Sequence, residues 1–73
     1  MKRPSPLQAR FGRRLRILRN RLGLSQENFA LAILMDRSYY TGVENGRHNI
    51  SLANIAKVAQ GHGLSLEELF RDL

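Results

Sequence analysis

Seventy-three residues without a cysteine bound this chain to one small domain that has neither a disulfide framework nor a cysteine-containing metal site. A domain of this size buries only about 60–65% of its unfolded surface, so modest stability is expected. Twelve basic residues against six acidic ones leave a net charge of +6, and no apolar run approaches the about 20 residues of a spanning helix, so a soluble, polyanion-seeking protein is the expectation.

The charge is unevenly placed. Lys2, Arg3, Arg10, Arg13, Arg14, Arg16, Arg19 and Arg21 are eight of the twelve basic residues, and no acid precedes Glu27. Field steering and counterion release make a polyanion the natural partner. A solvated basic face, or a helix lying on an acidic membrane surface, would show the same charge run. No apolar segment of a secretory signal follows the basic N-terminus, which makes the cytoplasm the expected location.

In chain order, residues 1–5 read as a flexible basic arm, because Pro4 and Pro6 disfavour an early helix. Residues 6–73 form the single domain. Ser5 followed by Pro6 is an N-cap with proline at the first helical position. From there Leu7, Phe11, Leu15, Leu18 and Leu22 recur at helical spacing up to Gly23. Gly12 interrupts this first helix at a cost of roughly 1 kcal/mol relative to alanine, acceptable where two elements pack closely. Arg19 lies beside the leucine stripe, where a guanidinium needs a carboxylate partner.

Ser25 caps a second helix whose Phe29, Ala30, Ala32 and Ile33 make an apolar face, with Leu31 left outward beside Glu27. Asp36 caps a third, in which Tyr39, Tyr40 and Val43 fall on one arc and Arg37, Ser38, Thr41, Gly42 and Asn45 on the other. Asn45 and Gly46 end it with a left-handed cap. Ser51 caps a fourth helix with a stripe of Leu52, Ile55, Ala56, Val58 and Ala59, ended by Gly61 and Gly63. Ser65 and Glu68 have capping-box spacing and open a fifth, short helix with Leu66, Leu69, Phe70 and Leu73 inward. The expected fold is all-α: a compact bundle of five helices with short connections and no strand.

The run S25-Q26-E27-x-F29-A30, the run from Asp36 to Arg47 (DRSYYTGVENGR), and the later Ser51-Leu52 and Gly63 to Phe70 (GLSLEELF) resemble the lambda-repressor-like, or Cro/XRE-type, helix-turn-helix family. The resemblance covers about residues 9–71. It implies that the second helix of the pair enters the major groove while the first crosses the DNA backbone. By position, Arg37, Ser38 and Thr41 fall where side chains reach base edges, and Gly42 would permit close approach there. Arg37 can pair bidentately with guanine, or else contact a phosphate or Asp36. Gln26, Tyr39, Asn45, Arg47, Asn49 and Arg14 are the implied phosphate contacts, with turn chemistry the other reading of Asn45. Glu44 is the implied partner of Arg19 in a structural ion pair. Leu34 replaces the glycine usual in the family's turn, so either that turn is strained or its geometry differs.

These readings converge on a sequence-specific regulator of transcription that binds double-stranded DNA as a homodimer on a two-fold or pseudo-two-fold operator. Leu64, Leu66 and Phe70 are candidates for the dimer surface, although Phe70 also suits the core. Restriction–modification controllers and small phage-type repressors are the most similar members, with antitoxin regulators and a basic protein- or membrane-surface module as alternatives. RNA polymerase is a further candidate partner, whereas no small-molecule effector, cofactor or metal is expected, since His48 and His62 have no evident co-ligands. No nucleophile–base pair is visible, and Glu67 and Glu68 serve as capping and dipole charges, so an enzyme is not expected.

Overall fold

The computed structural model describes residues 5–73. The expected arm therefore lies, apart from Ser5, outside the described residues, as do Lys2 and Arg3. Five helices follow in order: α1 (Pro6–Leu22), α2 (Gln26–Ala32), α3 (Arg37–Glu44), α4 (Leu52–His62) and α5 (Leu66–Leu69).

Local chemistry sets their starts. The hydroxyls of Ser5, Ser25 and Ser51 accept the N–H of Gln8, Asn28 and Asn54 at 3.1, 3.0 and 3.2 Å. Each thereby satisfies one of the donors that the first helical turn leaves unpaired. At α5 the exchange is reciprocal: Ser65 Oγ accepts the Glu68 N–H at 3.1 Å and Glu68 Oε1 accepts the Ser65 N–H at 2.9 Å. The Ser65 backbone bond, then its hydroxyl, holds the Glu68 carboxyl below its ordinary pKa.

One core gathers Phe11, Leu15 and Leu18 from α1, Phe29 and Ala30 from α2, Ile33, and Tyr40 and Val43 from α3. Ile55, Val58 and Ala59 from α4 and Leu69 from α5 complete it. Not every residue of the expected stripes joins it. Leu7 and Leu22 are 60% and 46% exposed, and Leu52 is 81% exposed. All three sit in a first or last helical turn, where the stripe runs past the helices that cover its middle. Leu66, expected inward, is 48% exposed because α5 is a single turn that can bury little besides Leu69.

Gly12 marks the tightest crossing. A Cβ there would lie 2.2 Å from the carbonyl oxygen of Glu44 and 2.7 Å from that of Val43, so α1 rests against the backbone of α3. Arg14 packs elsewhere. Its Nη2 and Nε donate to the carbonyls of Glu68 and Leu69 at 2.9 and 3.2 Å, closing the C-terminal end of α5. In the free protein the expected phosphate contact is thus engaged within the fold: the guanidinium satisfies carbonyls that a helix end leaves open.

The turn between α2 and α3 keeps a left-handed residue without glycine. Leu34 has φ 56°. Its N–H reaches Leu31 O at 3.1 Å and the Met35 N–H reaches Ala30 O at 2.9 Å. This is the paired-bond helix ending usually built on glycine, and α3 repeats it with Gly46 at φ 75°. Of the two possibilities left open by the sequence, the strained turn is the one observed.

Candidate nucleic-acid interface

Helix α3 is held from beneath by a buried carboxylate. Glu44 has a fully covered side chain, and Arg19 reaches it twice, Nε to Oε2 at 2.7 Å and Nη2 to Oε1 at 3.1 Å. Tyr40 donates its hydroxyl to Oε2, and Gln26 Nε2 donates to Oε1 at 3.0 Å. Arg19 Nη1 also donates to Leu24 O at 2.8 Å. Burial alone would raise the Glu44 pKa, but the bonds from Arg19, Tyr40 and Gln26 outweigh it and keep the carboxyl below its usual range. Burial, and then the bond to Glu44, push the Tyr40 phenol up. The hub joins α1, α2 and α3, and the expected Arg19–Glu44 pair is its centre.

With its inner arc so fixed, α3 turns its other arc outward. Arg37 and Ser38 are exposed, Thr41 half-buried and Asn45 exposed. Asp36 Oδ2 accepts the Tyr39 N–H at 3.0 Å and fixes the start of the helix. Arg37, Ser38, Thr41 and Asn45, together with Gln26, Gly42, Arg47 and His48, line an open groove of about 450 Å³. Arg37 Nη1 lies 3.6 Å from Glu27 Oε2, and both side chains are largely exposed. A surface pair of this kind is worth about 0–1 kcal/mol, so Arg37 is easily released to a stronger partner.

Gln26 links the hub to this strip. Its Oε1 accepts the Thr41 hydroxyl at 3.3 Å while its Nε2 serves Glu44. One amide proton is left for a ligand. Asn45 Oδ1 accepts Arg16 Nη2 at 3.1 Å, which adds Arg16 to the edge of the surface and leaves the Asn45 amide protons outward. Arg47 and Asn49 follow on the loop, both exposed. Tyr39 is half-buried, and its hydroxyl oxygen accepts Asn54 Nδ2 at 3.3 Å, which leaves its own proton to donate.

Gly42 is buried at the floor of this groove, and the space where its side chain would stand is filled by the ring of His48. His48 is the surface residue that the sequence did not reveal as part of this site; the only signal was a glycine on an otherwise polar arc. The other histidine is inert. His62 stacks on Phe29 at 4.5 Å with Nε2 buried and unpartnered, and burial, then Arg14, depress its basicity. It serves as a flat apolar ring.

An outward-facing polar helix, preceded by a second helix and a tight turn, is a helix-turn-helix arrangement, and the family described as the helix-turn-helix domain matches residues 10–72. The chain belongs to the helix-turn-helix family of DNA-binding regulators. It is 47% identical over 68 residues to control protein C.MunI of a Mycoplasma species, covering 92% of each chain. It is 33% identical over 60 residues to control protein C.BamHI of Bacillus amyloliquefaciens, covering 81% of this chain and 74% of that one. Its structure resembles the restriction–modification controller protein C.AhdI from Aeromonas hydrophila with a TM-score of 0.83 and 49% identity, over 86% of this chain and 96% of that chain. The fold, all-helical with α2 and α3 as the motif, agrees with the lambda-repressor-like expectation.

Among the helices described here, none is long and apolar enough to cross a membrane.

Proposed function

We propose that this protein is a controller-type regulator that binds a two-fold or pseudo-two-fold operator as a homodimer and adjusts transcription from it. The observation that carries the reading is the outer strip of α3, where Arg37, Ser38 and Thr41 stand together over a buried Arg19–Glu44 anchor. A short helix reads too few base pairs for high specificity by itself, and two related by a dyad place their reading heads about 34 Å apart, one turn of DNA. The similarity to control proteins supports the regulatory role. Leu66 and Phe70, 48% and 37% exposed, with the half-buried Leu64 beside them, supply apolar surface for the second copy. Phe70 also packs against the core, its ring stacked on Phe11 at 5.1 Å.

Within the site, Arg37, Ser38 and Thr41 are the base readers and Gln26, Asn45, Arg47 and Asn49 the phosphate contacts, with the Tyr39 hydroxyl proton available for another. The work is done in the cytoplasm, without catalysis, and RNA polymerase is the partner through which bound protein changes transcription. Selection of bound duplexes from a random pool tests the reading, coupled to sedimentation of free and bound protein. The expected outcome is a half-site repeated with dyad symmetry and two chains per duplex. Equal binding to all duplexes would sink the specific-regulator reading, and one chain on one half-site would sink the dimer.

A further inference from the structure

Ser38 and Gly42 stand one turn apart on the outward arc of α3, yet only Ser38 carries a side chain into the groove. The missing side chain at position 42 is replaced from another element. A Cβ on Gly42 would fall 2.3 Å from His48 Nε2 and 2.4 Å from its Cδ2, so the imidazole occupies the place where that side chain would begin. The ring is braced on a second side by Tyr39, with centroids 4.9 Å apart and planes 18° from parallel. Tyr39 is in turn bonded to Asn54 of α4. The path that delivers His48 is fixed as well, because the Arg47 N–H closes on Gly42 O at 2.8 Å and the Gly46 N–H on Val43 O at 3.0 Å. His48 is half-buried and faces the groove that Arg37, Ser38 and Thr41 share.

We propose that His48 is a specificity-determining residue, whose imidazole stands in for the side chain that position 42 lacks and reads a base edge next to the one met by Ser38. The proposal rests on the DNA-binding reading above. An imidazole carries at least one N–H donor, and the major-groove edges of guanine and adenine present N7 acceptors, with O6 beside N7 in guanine. A ring held on two sides suits base readout, which requires a fixed donor position. Arg47 and Asn49, which flank it on the same loop and are exposed, are free to reach phosphates instead. The glycine follows from the same arrangement: any larger residue at position 42 would push the ring out of the groove.

The test compares duplexes selected by wild type, by His48→Ala and by the double variant His48→Ala/Gly42→Ser, with a thermal melt of each. Wild type should select a defined half-site. His48→Ala should keep that half-site except at one base pair, where discrimination falls by about tenfold, as expected for one lost base contact. The double variant, with a hydroxyl placed where the ring was, should acquire a different preference at that same base pair. If His48→Ala melts too low to assay, Gly42→Ala displaces the ring while leaving the loop sequence intact, and must change preference at one base pair. An unchanged half-site overturns the proposal while leaving the regulator reading in place. So does a uniform loss over all sequences with a salt dependence weaker by about one ion, which identifies a phosphate contact. If wild type selects no half-site, both readings fall together.

Discussion

Arg19 and Glu44 meet in a two-point pair, Nε on Oε2 at 2.7 Å and Nη2 on Oε1 at 3.1 Å, that ties the first helix to the last turn of the recognition helix. The same carboxylate receives Tyr40 and Gln26, so one buried charge sets the position of three helices. Replacing Arg19 by methionine leaves that buried charge with the neutral donors Tyr40 and Gln26 and with the half-exposed Arg16, whose Nε stands 3.5 Å from Oε1. Arg19→Met should cost about 3–5 kcal/mol of stability, the range for stranding one member of a buried pair. Thermal melts at neutral pH measure it, and an unchanged melting temperature would show that the pair carries no net stability.

The depressed Glu44 pKa gives that pair a pH signature. A carboxyl whose folded pKa lies below its unfolded value contributes stability above the ordinary 4.5 and loses it as pH falls through the folded value. His62 acts on a higher window. Its folded pKa is depressed from 6.5, by burial first and Arg14 second, so the unfolded chain takes up a proton that the folded one refuses, and stability declines as pH falls below that value. His62→Phe keeps the stack on Phe29 and removes the titration. Its melting temperature should therefore stay flat between about pH 7 and 5, where that of wild type falls. Parallel profiles for the two proteins would remove His62 from the account.

Leu34 stores backbone strain with no side-chain compensation. Its φ is 56° and its side chain is 83% exposed, so glycine loses almost no buried surface there. A left-handed leucine costs about 1–2 kcal/mol, of which the extra freedom of an unfolded glycine returns about 0.5–1. Leu34→Gly should raise stability by the difference, about 0.5–1 kcal/mol, with DNA affinity kept. Denaturant titration and anisotropy read the two quantities; clear destabilisation would mean that the exposed leucine has packing that its exposure hides.

Much of this architecture was legible in the residues because it rests on short-range chemistry. The serine caps, Asp36, the Ser65–Glu68 exchange and Gly46 act within three or four residues of themselves, so their spacing alone located the helices. That Arg19 needs an acid was legible because a guanidinium beside a leucine stripe requires one, whereas Glu44 as that acid came from the family resemblance. What spacing could not supply was coverage. Leu7, Leu22, Leu52 and Leu66 obey the helical period but lie where no neighbouring element extends over them. Arg14 looked like one more member of a basic run, because its carbonyl partners are more than fifty residues away. His48 was hidden by the path of a loop, since nothing in its spacing says that the chain folds back over Gly42.

Gly12 carries the contact between α1 and α3 and has no room for a methyl group. An alanine Cβ would lie 2.2 Å from Glu44 O and 2.7 Å from both Glu44 C and Val43 O. These are backbone atoms of the recognition helix, which cannot swing aside as a flexible side chain could. The helices must separate, and overpacking of this kind costs about 1–3 kcal/mol, more than the modest gain in helix propensity from replacing glycine. Gly12→Ala should lower the melting temperature despite that gain, and a rise would show that the crossing yields to a methyl group at less than the propensity gain.

Arg37 and Arg14 separate two meanings of a basic residue. Arg37 stands on the exposed arc, tied only to Glu27 at 3.6 Å, whereas Arg14 is committed to the carbonyls of Glu68 and Leu69. Arg37→Ala should cost about 1–3 kcal/mol of binding to the selected operator and relax preference at one or two base pairs, with the melting temperature of the free protein unchanged. Arg14→Ala should do the reverse, since the end of α5 loses two hydrogen bonds while the reading surface keeps its donors. Anisotropy titrations across a salt series, with melts of both variants, decide between these outcomes. If Arg14→Ala instead weakened all duplexes alike and left the melt untouched, its guanidinium would be exchanging the helix end for a phosphate on binding, and the charge run would regain the role its position in sequence first suggested.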